Sequence, residues 1–245
     1  MYSFPFSAND LSRMKQAKKI TAITGAGISS ESGIPTFRGE GGLWKNYRAE
    51  DLATPQAFAK DPDLVWEWYD WRRKICAEAQ PNQGHITLAK WETIVPGFTL
   101  ITQNVDGLHP RAGSKNLLQI HGNIFKARCL NCGNLSEIDP EKPREVSCSL
   151  CFSKLRPHIL WFGESYDQDL IASCFETISS SDLILIVGTS ANVSVPADMA
   201  KEGIRKGAFS IEINPERTSL SELVDYSLQG KSGEILPKLL DEIYK

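Results

Sequence analysis

The chain has 245 residues, 41% of them hydrophobic, enough for one substantial core with a smaller unit attached. Its net charge is only −3 and it has no long basic run, which argues against nucleic acid as a direct partner. No stretch reaches 18 apolar residues, and Met1 to Asp10 has neither a basic start nor a continuous apolar run, so a cytoplasmic protein with no membrane partner is expected.

In chain order, Leu11 to Lys19 is a short helix candidate, and the β-branched run Ile20 to Thr24 is a strand that stops at Gly25-Ala26-Gly27. A strand ending in Gly-x-Gly and entering a helix lets the backbone approach a phosphate, with N–H groups and a positive dipole end facing it. A tight turn without a ligand is the competing reading of these three residues. The continuation departs from the dehydrogenase fingerprint, because no third glycine falls at the expected place and Pro35 ends any helix. Pro35-Thr36-Phe37-Arg38-Gly39 reads instead as a mobile loop with an aromatic lid and a cation, continuing through Gly41 to Trp44.

Thr54-Pro55 and Asp61-Pro62 predict two helices with proline at the first helical position. Along Pro62 to Glu78, at ~100° per residue, Leu64, Val65, Trp68, Tyr69, Trp71, Ile75 and Cys76 share one broad face. Glu67, Asp70 and Lys74 fall opposite. Arg72 lands inside the apolar arc and Arg73 outside it. Arg72 must therefore snorkel, pair with a carboxylate of its own chain, or hold an anionic ligand, and Tyr69 one turn earlier is near enough to share that anion.

His85 to Trp91 is the next helix, and Pro96-Gly97 turns the chain into the strand Phe98 to Thr102. Gln103, Asn104 and Asp106 follow its end, where open α/β sheets keep their ligand-binding residues. Asn104 and Asp106 read either as turn residues or as a hydrogen-bonding pair for a ribose and an amide. His109, before Pro110, looks structural. His121, beside Gly122, stands at the seam with a cysteine-rich insert, and on its own it is either a satisfied structural histidine or a catalytic one.

Cys129-x-x-Cys132 and Cys148-x-x-Cys151, with fifteen residues between the pairs, suit two knuckles closing one tetrahedral thiolate zinc site. Four cysteine ligands leave no position for water, so the Zn2+ would be structural. A nucleic-acid-binding zinc ribbon competes, but acidic residues are interspersed among Lys126, Arg128, Lys142, Arg144 and Lys154. Cys76 and Cys174 are left as buried thiols. Beyond the insert, Asp167 to Ser179 is an amphipathic helix and Leu183 to Val187 a central parallel strand ending at Gly188-Thr189-Ser190. Pro196 to Lys206 is a helix, Ala208 to Ile213 a strand ending in Asn214, and Ser232 an N-cap for a terminal helix opened by Gly233 and Glu234. The alternation predicts an α/β fold: a doubly wound, Rossmann-like parallel sheet with a smaller zinc-binding lobe inserted.

Gly25-Ala26-Gly27-Ile28-Ser29, Pro35-Thr36-Phe37-Arg38, Thr102 to Asp106, His121-Gly122, the two cysteine pairs, Trp161-Phe162-Gly163-Glu164 and Gly188 to Ser190 together resemble the sirtuin family of NAD-dependent protein deacylases. The resemblance runs in order from about Lys18 to the C-terminus. Tyr69-x-x-Arg72, with Thr36, further resembles the subgroup that removes acidic acyl groups such as succinyl and malonyl, where the Tyr and Arg hold the distal carboxylate. Pro110 and Gln119 stand where relatives often carry other residues.

The resemblance implies that residues 1–122 and 160–245 form the NAD-binding domain, with a helical cofactor-loop module at about 35–80, and that 123–159 is the zinc insert. NAD, as cosubstrate, would lie across the carboxyl edge of the sheet. Gly25, Ala26, Gly27, Ser29, Glu31, Thr36, Phe37, Arg38 and Trp44 would supply its loop. Gln103, Asn104, Val105 and Asp106, then Gly188, Thr189 and Ser190, then Asn214, Pro215, Glu216 and Ser232 would complete its site. His121 is the implied general base, with Asn104 and Asp106 as further catalytic residues. The acyl oxygen would attack the nicotinamide ribose, and a ribose hydroxyl activated by His121 would then accept the acyl group, giving free lysine, nicotinamide and O-acyl-ADP-ribose. An acyl-lysine protein or peptide would add as a strand between Gly163-Glu164 and Asn192 to Ser194, touching Phe162, Gly163, Glu164 and Val193. Mono-ADP-ribosyl transfer to protein and non-catalytic NAD or acyl-lysine binding are the alternatives. The oligomeric state is unspecified by the sequence, and a monomer suffices for this reading.

Overall fold

The computed structural model describes residues 4–35, 43–44 and 47–244. Thr36, Phe37 and Arg38 lie outside the described residues, and of Trp44 only the backbone is described. The first helix, α1 (Ala8–Gln16), starts three residues before Leu11 because Ser7 and Asp10 cap each other reciprocally, the Asp10 N–H donating to the Ser7 hydroxyl at 3.2 Å. Lys19 belongs not to this helix but to β1 (Lys19–Thr24), which runs into a 3-10 segment, Ala26–Ser32, closed by Gly33 in the left-handed region. A short antiparallel pair, β2 (Leu43–Trp44) and β3 (Tyr47–Arg48), precedes α2 (Ala49–Leu52), α3 (Pro55–Lys60) and α4 (Pro62–Glu78). Thr54 and Asp61 cap α3 and α4, as the proline positions predict.

Asn82 caps α5 (Gln83–Ile94), which leads through β4 (Gly97–Thr102) and the short α6 (Leu108–Arg111) to β5 (Leu117–Gln119). The chain then makes β6 (Gly122–Cys129), β7 (Leu135–Glu137) and β8 (Leu155–Ile159), returns through α7 (Gln168–Ser179) to β9 (Leu183–Val187), and continues as α8 (Ser194–Arg205) and β10 (Phe209–Asn214). It finishes with β11 (Tyr226–Gln229) and α9 (Ser232–Tyr244). Ser232 is thus the first residue of α9 and not its cap. The Glu31 carboxylate does the capping, accepting from the Gly233 N–H at 2.8 Å and from the Ser232 hydroxyl at 3.3 Å.

Six parallel strands make the main sheet in the order β11-β10-β9-β1-β4-β5. β1 lies centrally and the direction of winding reverses between β1 and β9, so the ligand crevice of such a sheet falls at their carboxyl ends. Because β9 is buried on both sides, its alternate residues feed two layers. Leu183, Leu185 and Val187 meet Met14, Leu88, Trp91, Leu236 and Leu239 under α1, α5 and α9, while Ile184 and Ile186 meet Cys174, Ile178, Met199 and Ala200 under α7 and α8. Each of these large side chains contributes roughly 1.5–3 kcal/mol by leaving water. Among the described residues no helix is long and apolar enough to cross a membrane.

A second sheet, β7-β6-β8, is antiparallel and packs with α2 to α4 around Val65, Trp66, Tyr69, Ile124, Leu155 and Trp161. Here the helical-wheel expectation for α4 needs correcting at two positions. Trp71, expected on the apolar face, is 40% exposed, whereas Arg73, expected outside it, is only 3% exposed. The Arg73 guanidinium is buried because it has partners there: its Nε donates to the Ile124 carbonyl at 2.8 Å, Asp70 takes its NH1 at 2.5 Å, and the group lies over the Trp66 ring.

Candidate active site

At the crevice the two strand-end loops touch through their backbones. The Gly25 N–H donates to the Val187 carbonyl at 3.0 Å, the Gly27 N–H to the Gly188 carbonyl at 2.8 Å, and the Gly188 N–H to the Ile213 carbonyl at 2.9 Å. A Cβ on Gly27 would lie 2.8 Å from both the Cα and the oxygen of Gly188. Glycine is required here for backbone on backbone, a reason different from the phosphate approach expected of the motif, and the segment that follows is a short 3-10 turn in place of an α-helix. Thr189 is buried and accepts from the Gln103 amide at 3.1 Å, while Ser190, Pro215 and Glu216 are exposed and Asn214 Nδ2 donates to the Glu216 carbonyl at 2.8 Å. Glu31 faces the terminal helix.

Beneath this edge lies a buried polar network. Asn104 Nδ2 donates to the Gly25 carbonyl and to Ser29 Oγ, both at 3.1 Å, and Ser29 Oγ donates to Asp106 Oδ2 at 2.7 Å. The Asn82 N–H points at His85 Nδ1, so the ring proton sits on Nε2 and goes to Ser29 Oγ at 3.3 Å. His109 packs against His85 with the rings tilted at 58° and their centroids 4.8 Å apart, and it donates from Nε2 to Thr24 Oγ1 at 2.9 Å; Thr24 in turn donates to Thr102, whose hydroxyl also accepts the Asn104 N–H. His109 Nδ1 is then a bare lone pair with no hydrogen-bond partner among the described residues. Burial keeps both rings neutral, His85 being pushed down to about 4 and His109 well below the ordinary value. Burial raises Asp106, against the opposing pull of the Leu108 N–H, the Ser29 hydroxyl and the Arg72 charge.

His121 stands above this network, between β5 and β6. Its Nδ1 donates to the Gln103 carbonyl at 3.0 Å, which leaves Nε2 as the basic lone pair; that nitrogen accepts from the Tyr166 hydroxyl at 3.0 Å. Burial lowers the pKa of His121, so the ring is neutral near pH 7. The geometry would suit a general base, with the Gln103 carbonyl placed where it could stabilise an imidazolium. Gly122 holds the position: its φ is +87°, and β8 runs so close that a Cβ there would meet the His158 oxygen at 2.0 Å.

Tyr69 is fully buried, and its hydroxyl accepts from Trp161 Nε1 at 2.8 Å; burial pushes its pKa up to about 12. Arg72 is half-buried with its guanidinium 5.1 Å from the centre of the Trp68 ring, and its charge acts on both Tyr69 and Asp106. Phe162 is 54% exposed, Gly163 is exposed with φ +85°, and Val193 is half-buried just before α8. The side chain of Glu164, expected beside a peptide, is bound by buried Arg156. Both guanidinium nitrogens reach its carboxylate, the Trp161 N–H adds a bond of 2.9 Å, and Arg156 lies 3.4 Å above the Trp161 ring. Burial alone would raise the Glu164 pKa, but Arg156 and the Trp161 N–H outweigh it and hold the carboxyl low.

The four sulfurs of Cys129, Cys132, Cys148 and Cys151 lie within 4.8 Å of one another, with neighbouring pairs at 3.4 to 3.6 Å. A zinc tetrahedron with Zn–S near ~2.3 Å has edges of about 3.8 Å, so the set fits the ion with a small expansion. Backbone N–H groups of Asn131 and Cys132 point at Cys129 Sγ, and that of Leu150 at Cys148 Sγ, as thiolate ligands require. N–H donors from Leu150 and Cys151 lower the Cys148 pKa, and the N–H and hydroxyl of Ser153 bring Cys151 down to about 5.

Sequence reasoning missed His85 and Tyr166 as members of the site. The only local signals were a histidine in the first turn of a capped helix and an aromatic residue in a polar run. The Sir2 family model matches residues 25–195. The chain is 56% identical over 229 residues to the NAD-dependent protein deacylase of Leptospira interrogans serogroup Icterohaemorrhagiae serovar Lai (strain 56601), covering 92% of this chain and 93% of that protein. The crystal structure of a Sir2 homologue with NAD superposes with a TM-score of 0.91 at 43% identity, covering 100% of this chain and 96% of the other. The solved structure of a mutant Sir2 homologue with 2′-O-acetyl-ADP-ribose gives 0.89 at 44% identity, covering 98% of this chain and 97% of the other. With the switch-point crevice, the oriented His121 and the four-sulfur cluster on one chain, these likenesses establish that the protein belongs to the Sir2 family.

Proposed function

We propose that this protein removes acyl groups from lysine side chains of protein or peptide substrates, consuming NAD as cosubstrate and releasing nicotinamide and O-acyl-ADP-ribose. The observation that carries this reading is His121, whose Nε2 lone pair is aimed by the Gln103 carbonyl and kept neutral by burial at the carboxyl edge of the sheet. Bound NAD supplies the electrophilic ribose carbon and the hydroxyl that takes over the acyl group. His121 accepts that hydroxyl's proton. Asn104, Ser29 and Asp106 form a dry, pre-connected set of donors and acceptors suited to a ribose and an amide, and the Gly25 to Gly27 and Gly188 to Ser190 loops border the diphosphate path. Residues 1–122 and 160–245 act as the NAD-binding domain and 123–159 as an insert held by one structural zinc.

The acyl preference extends to acidic groups such as succinyl and malonyl. Tyr69 and Arg72 lie on one face of α4, and the Arg72 charge supports a carboxylate at the end of the acyl chain. The peptide adds as a strand between Gly163-Glu164 and Asn192 to Ser194, with Phe162 and Val193 at its sides. A thiolate metal site suits a reducing, cytoplasmic setting.

Mass spectrometry of purified protein with NAD and an equimolar mixture of acetyl-lysine and succinyl-lysine peptides tests the reading. Deacylated peptide with matching acyl-ADP-ribose is expected, and its absence would refute it. Transfer of NAD label to protein would favour ADP-ribosylation. For Arg72→Met, succinyl turnover should fall about ten- to a hundredfold, the equivalent of a charged hydrogen bond of roughly 1.5–3 kcal/mol, with acetyl turnover changing much less.

A further inference from the structure

His121 Nε2 has a single lone pair, and Tyr166 occupies it. Nδ1 cannot substitute as the base because its proton is committed to the Gln103 carbonyl. A hydroxyl that is to hand its proton to Nε2 therefore competes directly with the Tyr166 O–H. Tyr166 is well placed to yield. It lies between two anchored points, Glu164 with its Arg156 and Trp161 bonds and Asp167, which caps α7, while Phe162, Gly163 and Ser165 around it are exposed. Its ring is only half-buried, resting on the layer beneath α7, with its centroid 5.7 Å from the imidazole. Rotation about its side-chain bonds would withdraw the hydroxyl without breaking either anchor.

We propose that Tyr166 is a gate on the base: its hydroxyl caps His121 Nε2, and a peptide laid along Gly163-Glu164 displaces it, so that the base is freed when a substrate is present. This rests on the deacylase reading. The gate is a positioning device and takes no part in the bond changes. The hydroxyl proton passes from the ribose to Nε2, while the Tyr166 proton stays on its own oxygen.

The test is Tyr166→Phe, with Tyr166→Leu as a second variant should the first pack poorly. In the free protein, the rate at which diethyl pyrocarbonate acylates His121 reads the availability of the Nε2 lone pair without any turnover. It should rise about three- to tenfold, the equivalent of one neutral hydrogen bond, relative to His158 in the same sample. In turnover, the KM for acyl-peptide should fall by a similar factor without a fall in kcat. Wild-type labelling rate and KM in a folded, active variant would overturn the gate alone. So would a large fall in kcat, which would make Tyr166 a proton relay. Absence of NAD-dependent deacylation by the wild-type protein would instead remove the deacylase reading, and the gate with it.

Discussion

Lowering the pH should strain the protein at His85 before it strains most of the surface. The ring is completely buried and its pKa is pushed down to about 4, against an ordinary value of 6.5. Between those two values the unfolded chain carries a proton at this position that the folded chain does not, so stability rises with pH across the window. The contribution is complete above about pH 6.5 and is lost as the pH falls towards 4, below which both states are protonated. A difference of about 2.5 units at 1.36 kcal/mol each makes the loss about 3 kcal/mol, a large share of a typical domain's stability. His85→Gln places a non-titrating amide near Ser29 and removes this term, together with the smaller share of the His109 depression that comes from the His85 charge; the titrations of the four clustered cysteines stay common to both proteins. Urea unfolding at steps from pH 7.5 to 4 should therefore show the wild type losing about 3 kcal/mol more than the variant. Parallel curves would refute the argument, because they would mean that His85 accepts its proton as readily in the folded state as in the unfolded.

Gly122→Ala should cost more than the ~1–2 kcal/mol of a left-handed alanine, since its Cβ would also strike the His158 oxygen at 2.0 Å, and urea midpoints should show it. Arg156→Met leaves the Glu164 carboxylate without its buried partner and should destabilise, by less than the ~3–5 kcal/mol of a fully buried pair because Glu164 is partly exposed and keeps the Trp161 N–H, while adding Glu164→Leu should recover part of that loss. If the double variant were the weaker of the two, the pair would be acting otherwise than described. Cys148→Ser should reduce the zinc content measured by atomic emission and lower the melting temperature, with far-ultraviolet circular dichroism of the main sheet largely kept.

The parts of the fold legible in the sequence were those whose signal is local. β9 is a continuous apolar run because both of its faces are buried, and the prolines after Thr54 and Asp61 mark helix starts by their own chemistry. β11 escaped notice because Tyr226-Ser227-Leu228-Gln229 buries only Leu228 and depends on Phe6 and Phe209 to cover its tyrosine. A helical wheel ranks side chains by polarity, and it could not see that Asp70 and the Ile124 carbonyl make Arg73 an interior residue. At the candidate site, Asn104, Asp106 and His121 stood out because they follow strands. His85 and Tyr166 did not, since the atoms they contact, on Ser29 and His121, are 56 and 45 residues away in the chain.

The Glu31 carboxylate that closes the first turn of α9 reaches across 202 residues of sequence. On the ribosome, the segment after β1 is made early, but its glutamate has no helix to cap until α9 has been synthesised, after every other described element. The same helix also covers α5 and α1, so the early half of the sheet waits for it with apolar surface uncovered. Contacts this distant in sequence close slowly and leave a nascent chain open to aggregation, which makes the interval before α9 emerges the time at which a chaperone would matter most.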